Sequence, residues 1–537
     1  MLAFAWSATL ASAILAAMNR DPLPLNRKRN AAFRRPTTTP AKVAGGRLKA
    51  AFRFTGTRRE MSVRGILTLF AALLLAASAA FPFVLSAAPK RPPNILLIVS
   101  DDQGYPDLGC IGSKPILTPN LDRLAAEGVR ATSFYVTWPA CTPSRGSILT
   151  GRFPQRNGLY DMVRNDMVNF GHRYTPEEYA ISPEMTLGLD VREVTIGDVL
   201  KQAGYATGMV GKWDMGQARR YLPLQRGFDF FYGHGNNGID YYTHERYGVP
   251  SMFRGNQRTE EDKGAYATDV FKRESLRFIR ESKDRPWFLY LCFNAPHGAS
   301  SFAPDTEEGK RMKGEGVQAP EQYVARYRGK VKDERLARYF GAVTCMDEAI
   351  GEIHALIEQR GQKENTMTVF CSDNGGSGNG GNEPLRGHKS TMWEGGLRVP
   401  FVAHWPGQLP AGKVMDEWLT SLELFPMFAQ IAGAKQPEGV MLDGFDNMLP
   451  VLQGKAKSPR REMFWERRNL RGARVDNWKW VDMGGRSGGL FDLSADLGEA
   501  KDLSKEKPEV LAMVKGRFQA WRKKMDEAEP RGPFRDY

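Results

Sequence analysis

Four apolar runs mark the body of the chain, and each run leads into polar or charged residues. The first run, NILLIVS at residues 94–100, continues directly into Asp101 and Asp102. Uninterrupted apolar runs of this length are typical of central strands in a parallel sheet, because both faces of such a sheet are covered. Three further runs predict strands of the same kind: YATGMVGKW at 205–213, PWFLYLCFNAP at 286–296 and TMTVFCSDNGG at 366–376.

Helix signals lie between these runs. The segment TPNLDRLAAEGV has Thr118 as a candidate N-cap, Leu121 and Leu124 at helical spacing, and Gly128 as a stop signal. Similar patterns predict further helices at 195–204, at 267–280 and at about 335–360. Strands that alternate with helices in this way predict a doubly wound α/β sheet.

Polar residues gather just after the predicted strands. They are Asp101, Asp102, Lys212, His297, Asp373 and Asn374. In open α/β sheets ligands bind beyond the carboxyl ends of the strands. We therefore expect these side chains to meet at one edge of the sheet.

The pattern changes after about residue 455. Short runs at 462–468, 472–482 and 488–494 alternate with Gly and Asp turns, and a helical pattern follows at roughly 507–524. These features predict a small antiparallel sheet with a C-terminal helix. We therefore expect a main domain at 92–455 and an α+β subdomain at 456–537.

The net charge of +14 is concentrated at the N terminus. Residues 1–60 carry a net charge of +10, and Arg64, Lys90 and Arg91 add three more positive charges. The remainder is therefore close to neutral and has no overall basic field that would attract DNA or RNA. We expect no nucleic-acid partner.

The segment from Met61 has the features of a secretory signal peptide. Arg64 is followed by an apolar run and then by small residues that suit cleavage. We predict a signal peptide at 61–88, a translation start at Met61, and a non-native or disordered basic leader at 1–60. Export would place the protein outside the cell or in the periplasm. The alternative is an uncleaved membrane anchor through residues 66–88, since the apolar run is long enough to span a bilayer.

The five cysteines do not form a recognisable metal or disulfide motif. They are Cys110, Cys141, Cys292, Cys345 and Cys371, with no CxxC pair and no Cys/His spacing. A structural zinc site is therefore not expected. Cys292 and Cys371 lie within apolar strand patterns, so we predict buried thiols at both positions.

The acidic residues at the strand ends suggest a cation. Asp101, Asp102 and Asp373 would repel one another at a shared edge unless a cation lay between them, and Asn374 adds an amide oxygen. All-oxygen ligation favours Ca²⁺ or Mg²⁺ over zinc. Taken singly, each acidic pair could also be an ordinary turn or helix cap.

Six blocks, which occur in the same order as in the family, make the chain resemble the sulfatase family. Cys141-Thr142-Pro143-Ser144-Arg145 is similar to the family signature Cys-x-Pro-x-Arg, and NILLIVSDDQGYPDLGC resembles the first metal-binding strand. The later blocks are GKW at 211–213, APH at 295–297, SDNGG at 372–376 and LRGHKSTMWEGGLRVP at 385–400. The resemblance covers essentially residues 92–500. It implies an alkaline-phosphatase-like α/β fold: a doubly wound, mostly parallel sheet with a smaller C-terminal antiparallel sheet and helix.

The resemblance assigns a role to each of these residues. Cys141 would be oxidised to Cα-formylglycine by a formylglycine-generating enzyme, and its hydrate would be the nucleophile. Ca²⁺ would be bound by Asp101, Asp102, Asp373, Asn374 and the modified residue 141. Arg145 would hold the hydrate, Lys212 and Lys389 would neutralise sulfate oxygens, and His297 would protonate the leaving alcohol.

One position departs from the family pattern. The usual Gly-Lys-Trp-His-Leu-Gly is GKWDMG here, so Asp214 stands where a histidine is expected. An aspartate can accept a hydrogen bond from the hydrate, but it is not a cation near neutral pH. His234 and His244 are candidate replacements, although we favour a packing role for both. Gln103 is a candidate at the metal rim or in a turn.

The leading hypothesis is an exported, calcium-dependent sulfatase that cleaves sulfate monoesters of a carbohydrate. The aromatic and arginine-rich stretch 221–254 suits sugar stacking, although its aromatic residues equally suit a core. One alternative is a phosphate mono- or diester hydrolase on the same scaffold. Another is a non-catalytic relative that binds sulfated glycans, which the departure at Asp214 leaves open.

Overall fold

The computed structural model describes residues 91–531, apart from Lys114, residues 164–186, residues 302–315 and Asn379. The predicted leader at 1–60 and the predicted signal peptide or anchor at 61–88 lie outside the described residues. Among the residues that are described, no helix has both the length and the apolar character needed to cross a membrane.

The strands define the scaffold. Within the described residues they are, in chain order, β1 (Asn94–Ser100), β2 (Val129–Ala131), β3 (Phe134–Tyr135), β4 (Ala206–Lys212), β5 (Phe230–His234), β6 (Glu245–Arg246), β7 (Val249–Pro250), β8 (Met252–Arg254), β9 (Gln257–Arg258), β10 (Trp287–Cys292), β11 (Thr366–Ser372), β12 (Phe401–His404), β13 (Lys413–Met415), β14 (Leu419–Thr420), β15 (Glu462–Arg467), β16 (Leu470–Val475), β17 (Trp478–Met483) and β18 (Gly488–Asp492).

Ten strands form one sheet in the order β13-β2-β12-β11-β1-β10-β4-β5-β8-β9. The central strands β11, β1, β10, β4 and β5 are parallel, whereas β12 and β8 join the centre antiparallel on either side. The four apolar runs form β1, β4, β10 and β11, and every residue of these strands is buried. The predicted fold class is thus confirmed: a mostly parallel large sheet, with helices on both faces and a separate small antiparallel sheet.

Helices cover both faces of the large sheet. Besides short 3-10 turns, the helices of the described residues are α1 (Pro119–Ala126), α2 (Cys141–Thr150), α3 (Pro154–Asn157), α4 (Ile196–Gln202), α5 (Ala267–Glu281), α6 (Glu321–Val324), α7 (Glu334–Gln359), α8 (Glu394–Leu397), α9 (Leu424–Ile431), α10 (Met448–Leu452) and α11 (Pro508–Asp526). One apolar cluster joins α1, α5 and α7 to the sheet, and a second joins α2, α4 and α9 to the opposite face. The sheet therefore lies between two helical layers, which leaves the ends of its strands accessible to ligands.

Two predicted helix starts differ in their capping. At α4 the Thr195 hydroxyl accepts the Asp198 N–H at 3.2 Å, and the Asp198 carboxylate accepts the Thr195 N–H at 2.9 Å. Thr118 also occupies the N-cap position of α1, but its side chain does not cap the helix. Its hydroxyl accepts the Gly109 N–H at 2.9 Å and donates to Asp122 at 3.1 Å. Thr118 is therefore the N-cap residue, as predicted, but its hydroxyl fixes a neighbouring loop instead of capping the helix.

The C-terminal segment forms a four-stranded antiparallel meander, β15 to β18, against which α11 packs. The run at 472–482 contains a turn at Asp476, whose φ is 51°, so it spans parts of two strands. The apolar core of this meander includes Tyr135, Trp393 and Trp418 from earlier in the chain. The boundary at residue 455 remains a prediction from the sequence.

Candidate active site

The carboxyl ends of the central strands place the predicted residues in one buried cluster. Asp101 and Asp102 follow β1, Lys212 ends β4, and Asp373 and Asn374 follow β11. Parallel pairing keeps these ends level, since Ser100 is the register partner of Ser372. Cys141 and Arg145 come from α2, His297 follows β10, and Lys389 comes from the loop before α8.

Cys141 is the first residue of α2 and is fully buried. Its Sγ lies 3.2 Å from Lys389 Nζ, 3.6 Å from Asp101 Oδ1 and 4.0 Å from Asp102 Oδ1. Burial raises the pKa of the Cys141 thiol well above its ordinary value, although Lys212 and Lys389 oppose this effect. The thiolate is the nucleophilic form of cysteine. The surroundings therefore do not suit an unmodified cysteine nucleophile.

Three cations pair with the three carboxylates of the cluster. Lys212 Nζ lies 2.7 Å from Asp101 Oδ2, Lys389 Nζ lies 2.6 Å from Asp102 Oδ1, and Arg145 Nη2 lies 2.8 Å from Asp373 Oδ2. Burial alone would lower the lysine pKa values, but Asp101 raises the pKa of Lys212 and Asp102 raises that of Lys389. Both lysines are therefore cations at neutral pH.

Four side chains at the site are spaced so that they could hold a metal ion. Asp101, Asp102, Cys141 and His297 each offer one ligand atom, and these atoms lie within 4.8 Å of one another. Asn374 Oδ1 is a buried acceptor without a hydrogen-bond partner, and its amide nitrogen donates to Asp102 Oδ1 at 2.8 Å. A buried oxygen that lacks a donor is costly unless a ligand satisfies it. Carboxylate and amide oxygens at such a site suit Ca²⁺ or Mg²⁺.

Both carboxylate oxygens of Asp373 have partners in the protein. Its Oδ2 pairs with Arg145, and its Oδ1 accepts the Asp102 N–H at 3.2 Å. Burial raises the pKa of Asp373, while Arg145 lowers it. The structure thus places Asp373 beside the other candidate ligands, with one oxygen already bonded to a cation of the protein.

His297 projects its Nε2 towards the cluster. Its Nδ1 lies 2.6 Å from the Gly298 carbonyl, to which it donates, and its Nε2 lies 3.8 Å from Asp102 Oδ2. Burial lowers the pKa of His297 to about 3, and the opposing effect of Asp102 is smaller. The ring is therefore neutral in this charge environment, with a free lone pair on Nε2.

The segment that follows β5 fixes the position of His297. The sequence did not predict this role. The Tyr241 hydroxyl lies 2.8 Å from the His297 carbonyl and 3.0 Å from the Asn294 carbonyl. A Cβ atom at Gly238 would lie 3.1 Å from His297 Cε1, so only glycine fits without displacing the ring. In the sequence, Tyr241 is one of many aromatic residues in this stretch, and no local pattern marks its distant partner.

Asp214 lies beside the cluster. It is buried, its φ is 58°, and its Oδ2 lies 3.9 Å from Lys212 Nζ. Asp214 thus lies close to Lys212, one of the two lysines predicted to neutralise sulfate oxygens. Its catalytic role remains a prediction.

The other candidate histidines and Gln103 are held by local bonds. His234 is fully buried, with Nδ1 2.9 Å from the Asn236 carbonyl, and it stacks on Phe271. His244 Nε2 lies 2.9 Å from the Ala265 carbonyl. Gln103 donates to the Asp107 carbonyl at 3.0 Å, in the turn after β1. These contacts agree with the packing and turn roles that we favoured or left open.

The aromatic residues of 221–254 belong mostly to the core. Tyr221, Phe228, Phe231, Tyr232, Tyr241 and Phe253 are all buried. Cys292 and Cys371 are fully buried as predicted, and all five cysteines are free thiols. Sugar stacking by most of this stretch is therefore ruled out by burial, whereas the alternative core role is observed.

Comparisons with known proteins identify the family of the chain. Residues 93–434 match the family model described as Sulfatase. The chain is 35% identical over 390 residues to N-acetylgalactosamine-6-sulfatase of Canis lupus familiaris, covering 69% of this chain and 67% of that protein. It is 34% identical over 406 residues to human arylsulfatase A, covering 70% and 71% respectively.

Two solved structures share the fold of this chain. The structure of Ps i-CgsB in complex with k-i-k-neocarrahexaose superimposes with a TM-score of 0.69 and 30% identity, covering 80% of this chain and 93% of that one. Phosphonate monoester hydrolase of Agrobacterium radiobacter shares the fold at a TM-score of 0.55 and 18% identity, covering 81% of this chain and 96% of that one. The family model matches more than half of the chain, and both curated relatives are at least 34% identical to it over about 400 residues. The chain therefore belongs to the sulfatase family and is a sulfuric ester hydrolase.

Proposed function

We propose that this sulfatase hydrolyses sulfate monoesters of a carbohydrate through a formylglycine derived from Cys141. One observation carries the proposal: residue 141 lies within 3.2 Å of Lys389 Nζ and 3.6 Å of an Asp101 oxygen, in a pocket of three cations and three carboxylates. Three carboxylates without cations would repel a sulfate ester. Two buried lysines can instead bind the sulfate oxygens and stabilise the negative charge that develops on them during the reaction.

The hydrated aldehyde supplies two hydroxyl groups at the position that Sγ occupies here. One hydroxyl attacks sulfur as the bond from sulfur to the alcohol oxygen breaks, and the alcohol takes up a proton. The second hydroxyl then loses its proton, the aldehyde C=O reforms, and sulfate leaves with the oxygen that attacked. This is covalent catalysis in which water need not attack the sulfate ester. We further propose that a formylglycine-generating enzyme makes this modification.

Ca²⁺ is the proposed cofactor, because the site offers hard oxygen ligands; when bound, it would lower the pKa of the hydrate and help hold a sulfate oxygen. Asp101, Asp102, Asp373 and Asn374 would hold it together with residue 141. Arg145 would fix the orientation of Asp373, to which it donates at 2.9 Å through Nε.

His297 is the group placed to carry the proton to the leaving alcohol. Its Nδ1 donates to the Gly298 carbonyl, which directs Nε2 into the pocket. A bound sulfate ester adds negative charge beside the ring, and a nearby opposite charge raises the pKa of an imidazole. His297 would thus be neutral before substrate binds and take up its proton afterwards.

A carbohydrate substrate is supported by the relatives rather than by a bound ligand. One relative is named for the 6-sulfate of N-acetylgalactosamine, and another is crystallised with a neocarrahexaose. Both are similar to this chain at 30% identity or more. We therefore propose a sulfated saccharide as the substrate class.

We also propose export, on the strength of the apolar segment at 61–88 and its small-residue cleavage sites. Edman sequencing of the mature protein from the periplasm or medium should begin near residue 88. A mature protein that retains residues 66–88 in the membrane fraction would instead support the anchor.

The test is sulfate release from a panel of esters. The panel contains sulfated monosaccharides, an aryl sulfate and matched phosphate esters, and the enzyme comes from a host that makes formylglycine. We expect sulfate release by the wild type and none by Cys141→Ser, whose single hydroxyl can accept sulfate but cannot expel it. Phosphate release without sulfate release would favour the phosphate-ester alternative, and binding without any turnover would favour a non-catalytic glycan-binding protein.

A further inference from the structure

Arg467 reaches the catalytic segments from the C-terminal meander. It is the last residue of β15, and Arg468 forms the turn to β16 with a φ of 55°. Its Nη1 donates to the Ser390 carbonyl at 3.2 Å, and its guanidinium carbon lies 5.4 Å from the centre of the Trp138 ring. Ser390 directly follows Lys389, and Trp138 packs in one cluster with Cys141. Arg467 thus lies over the junction of the two segments that carry the nucleophile and a sulfate-binding lysine.

This junction is tightly fixed. The Ser390 N–H donates to the Pro139 carbonyl at 2.7 Å, which joins the two catalytic segments. Trp138 Nε1 donates to the Glu466 carbonyl at 2.8 Å, which ties the first segment to β15. Trp465 Nε1 donates to the Val136 carbonyl at 2.7 Å. The guanidinium is therefore held in place before a substrate arrives, which reduces the entropy lost on binding.

Arg467 does not form a salt bridge with any carboxylate of the described residues. Within residues 91–531 as described, no carboxylate lies within 4.0 Å of it, and its buried Nε has no hydrogen-bond acceptor. The neighbouring Asp161 carboxylate pairs with Arg468 instead, at 2.8 Å. Each of the other three site cations has a carboxylate partner. A partly buried cation without an anion is costly, unless an anion from outside completes the pair.

We infer that Arg467 binds a second anionic group of the substrate, a sulfate or a carboxylate carried by the saccharide beside the ester that reacts. This inference rests on the proposed function, since it takes residue 141 as the reacting centre. A planar guanidinium donates two parallel hydrogen bonds to either anion, which a lysine cannot do. The C-terminal meander would thus select polyanionic saccharides, while the reaction itself depends on the large sheet.

The test compares three saccharides that share one reacting sulfate. The first has no other charge, the second carries a further sulfate, and the third carries a uronate carboxylate. We expect Arg467→Met to lower kcat/KM by about 10- to 100-fold for the preferred dianionic saccharide, through KM, because a charge-assisted bond is lost. The singly sulfated saccharide should change little. The second and third saccharides show whether the anion is a sulfate or a carboxylate.

Two controls separate this inference from the proposed function. Arg468→Met removes a neighbouring arginine that already has a partner, and should leave the preference between saccharides unchanged. The same three saccharides are also titrated against Cys141→Ala protein, with and without Arg467→Met, because alanine has no group that can accept sulfate and binding is then measured without any reaction. An equal effect of Arg467→Met on all three saccharides, or no effect, in both assays would overturn the role of Arg467. Absent hydrolysis with a retained binding preference would overturn only the proposed function.

Discussion

Two buried ion clusters of the protein differ in which polar groups they leave unsatisfied. The site cluster comprises Asp101, Asp102, Asp373, Arg145, Lys212 and Lys389. The support cluster comprises Glu394, Glu499, Lys479, Arg398, Arg474 and Tyr135, and it joins the meander to the large sheet. Both exclude water from their carboxylates almost completely.

Every carboxylate oxygen in the support cluster has a protein partner. Glu394 Oε1 lies 2.6 Å from Lys479 Nζ, and its Oε2 accepts the Tyr135 hydroxyl at 2.5 Å. Glu499 Oε1 lies 3.3 Å from the same Lys479 Nζ, and its Oε2 accepts the Glu394 N–H at 2.7 Å. Burial raises the pKa of Glu394, but Lys479, Arg398 and Arg474 together outweigh this effect and lower it. The support cluster is complete without a ligand.

The site cluster differs from the support cluster in two amide oxygens that lie near it. Asn374 Oδ1 and Gln103 Oε1 are buried beside its carboxylates without a donor. Buried charge by itself therefore does not mark a functional site, since both clusters have it. What distinguishes the site is unsatisfied acceptors next to charges that the protein has balanced.

The largest expected effect is on stability, through Lys479. Lys479→Met leaves Glu394 and Glu499 close together and buried, so unfolding should become easier by about 3–5 kcal/mol. Chemical denaturation measures this difference. Sulfate release by the folded variant, measured at low temperature, should match the wild type. A large loss of kcat without a loss of stability would mean that the two clusters are not separate.

In contrast to Lys479→Met, Lys212→Ala and Lys389→Ala should act mainly on activity and less on stability. Each removes a cation that meets charge developing on sulfate in a water-poor pocket, so kcat should fall about 10²- to 10³-fold. Steady-state kinetics on an aryl sulfate measures this loss, with Lys479→Met as the matched buried lysine. Unchanged turnover in either variant would remove that lysine from the catalytic site.

Removal of the cation should affect both activity and stability. Without Ca²⁺, Asn374 Oδ1 has no partner. Saturation of the site at a free Ca²⁺ concentration a hundred times Kd should therefore raise the free energy of unfolding by about 2.7 kcal/mol. Thermal unfolding with and without chelator measures this difference, and added Ca²⁺ should restore both properties. Full sulfate release by protein that elemental analysis shows to be metal-free would contradict the calcium assignment.

The smallest expected effect concerns His354, which lies on α7 away from both clusters. Burial, and then the charge of His404, lowers its pKa to about 3. The unfolded chain binds a proton near pH 6.5 whereas the folded chain does not, so stability is present above pH 6.5 and is lost as pH falls towards 3. As the pH falls from 7 to 5, this histidine should lower the free energy of unfolding by about 2 kcal/mol.

Between pH 7 and pH 5, the free energy of unfolding of His354→Gln should therefore fall by about 2 kcal/mol less than that of the wild type. Urea unfolding at pH 7 and pH 5 measures both values. An identical loss in the two proteins would show that His354 is protonated in the folded state at pH 5.

The central strands could be predicted from the sequence because their information is local. A run such as NILLIVS is apolar throughout, and its end at Asp101 fixes where the polar side chains begin. Parallel pairing then places the ends of β1 and β11 together, as the register of Ser100 with Ser372 demonstrates. The meeting of Asp101, Lys212 and Asp373 follows from that topology.

The remaining features depend on contacts between distant segments. Tyr241 bonds the His297 carbonyl, and Arg467 reaches Ser390, yet neither residue stands out from its neighbours in the sequence. The aromatic residues at 221–254 suited a sugar-binding wall as well as a core, because composition does not tell which side a side chain faces. Thr118 lies at the N-cap position, but its hydroxyl accepts a hydrogen bond from the Gly109 N–H of a neighbouring loop instead of capping the helix.

The most direct test is the mass of one tryptic peptide from active protein. Trypsin should release residues 131–145, ATSFYVTWPACTPSR, as a single peptide that contains Cys141. We predict the mass expected when the CH₂SH group of Cys141 has become an aldehyde, in a fraction that rises with specific activity. Fully active protein in which this peptide carries only the unmodified thiol would contradict the formylglycine mechanism.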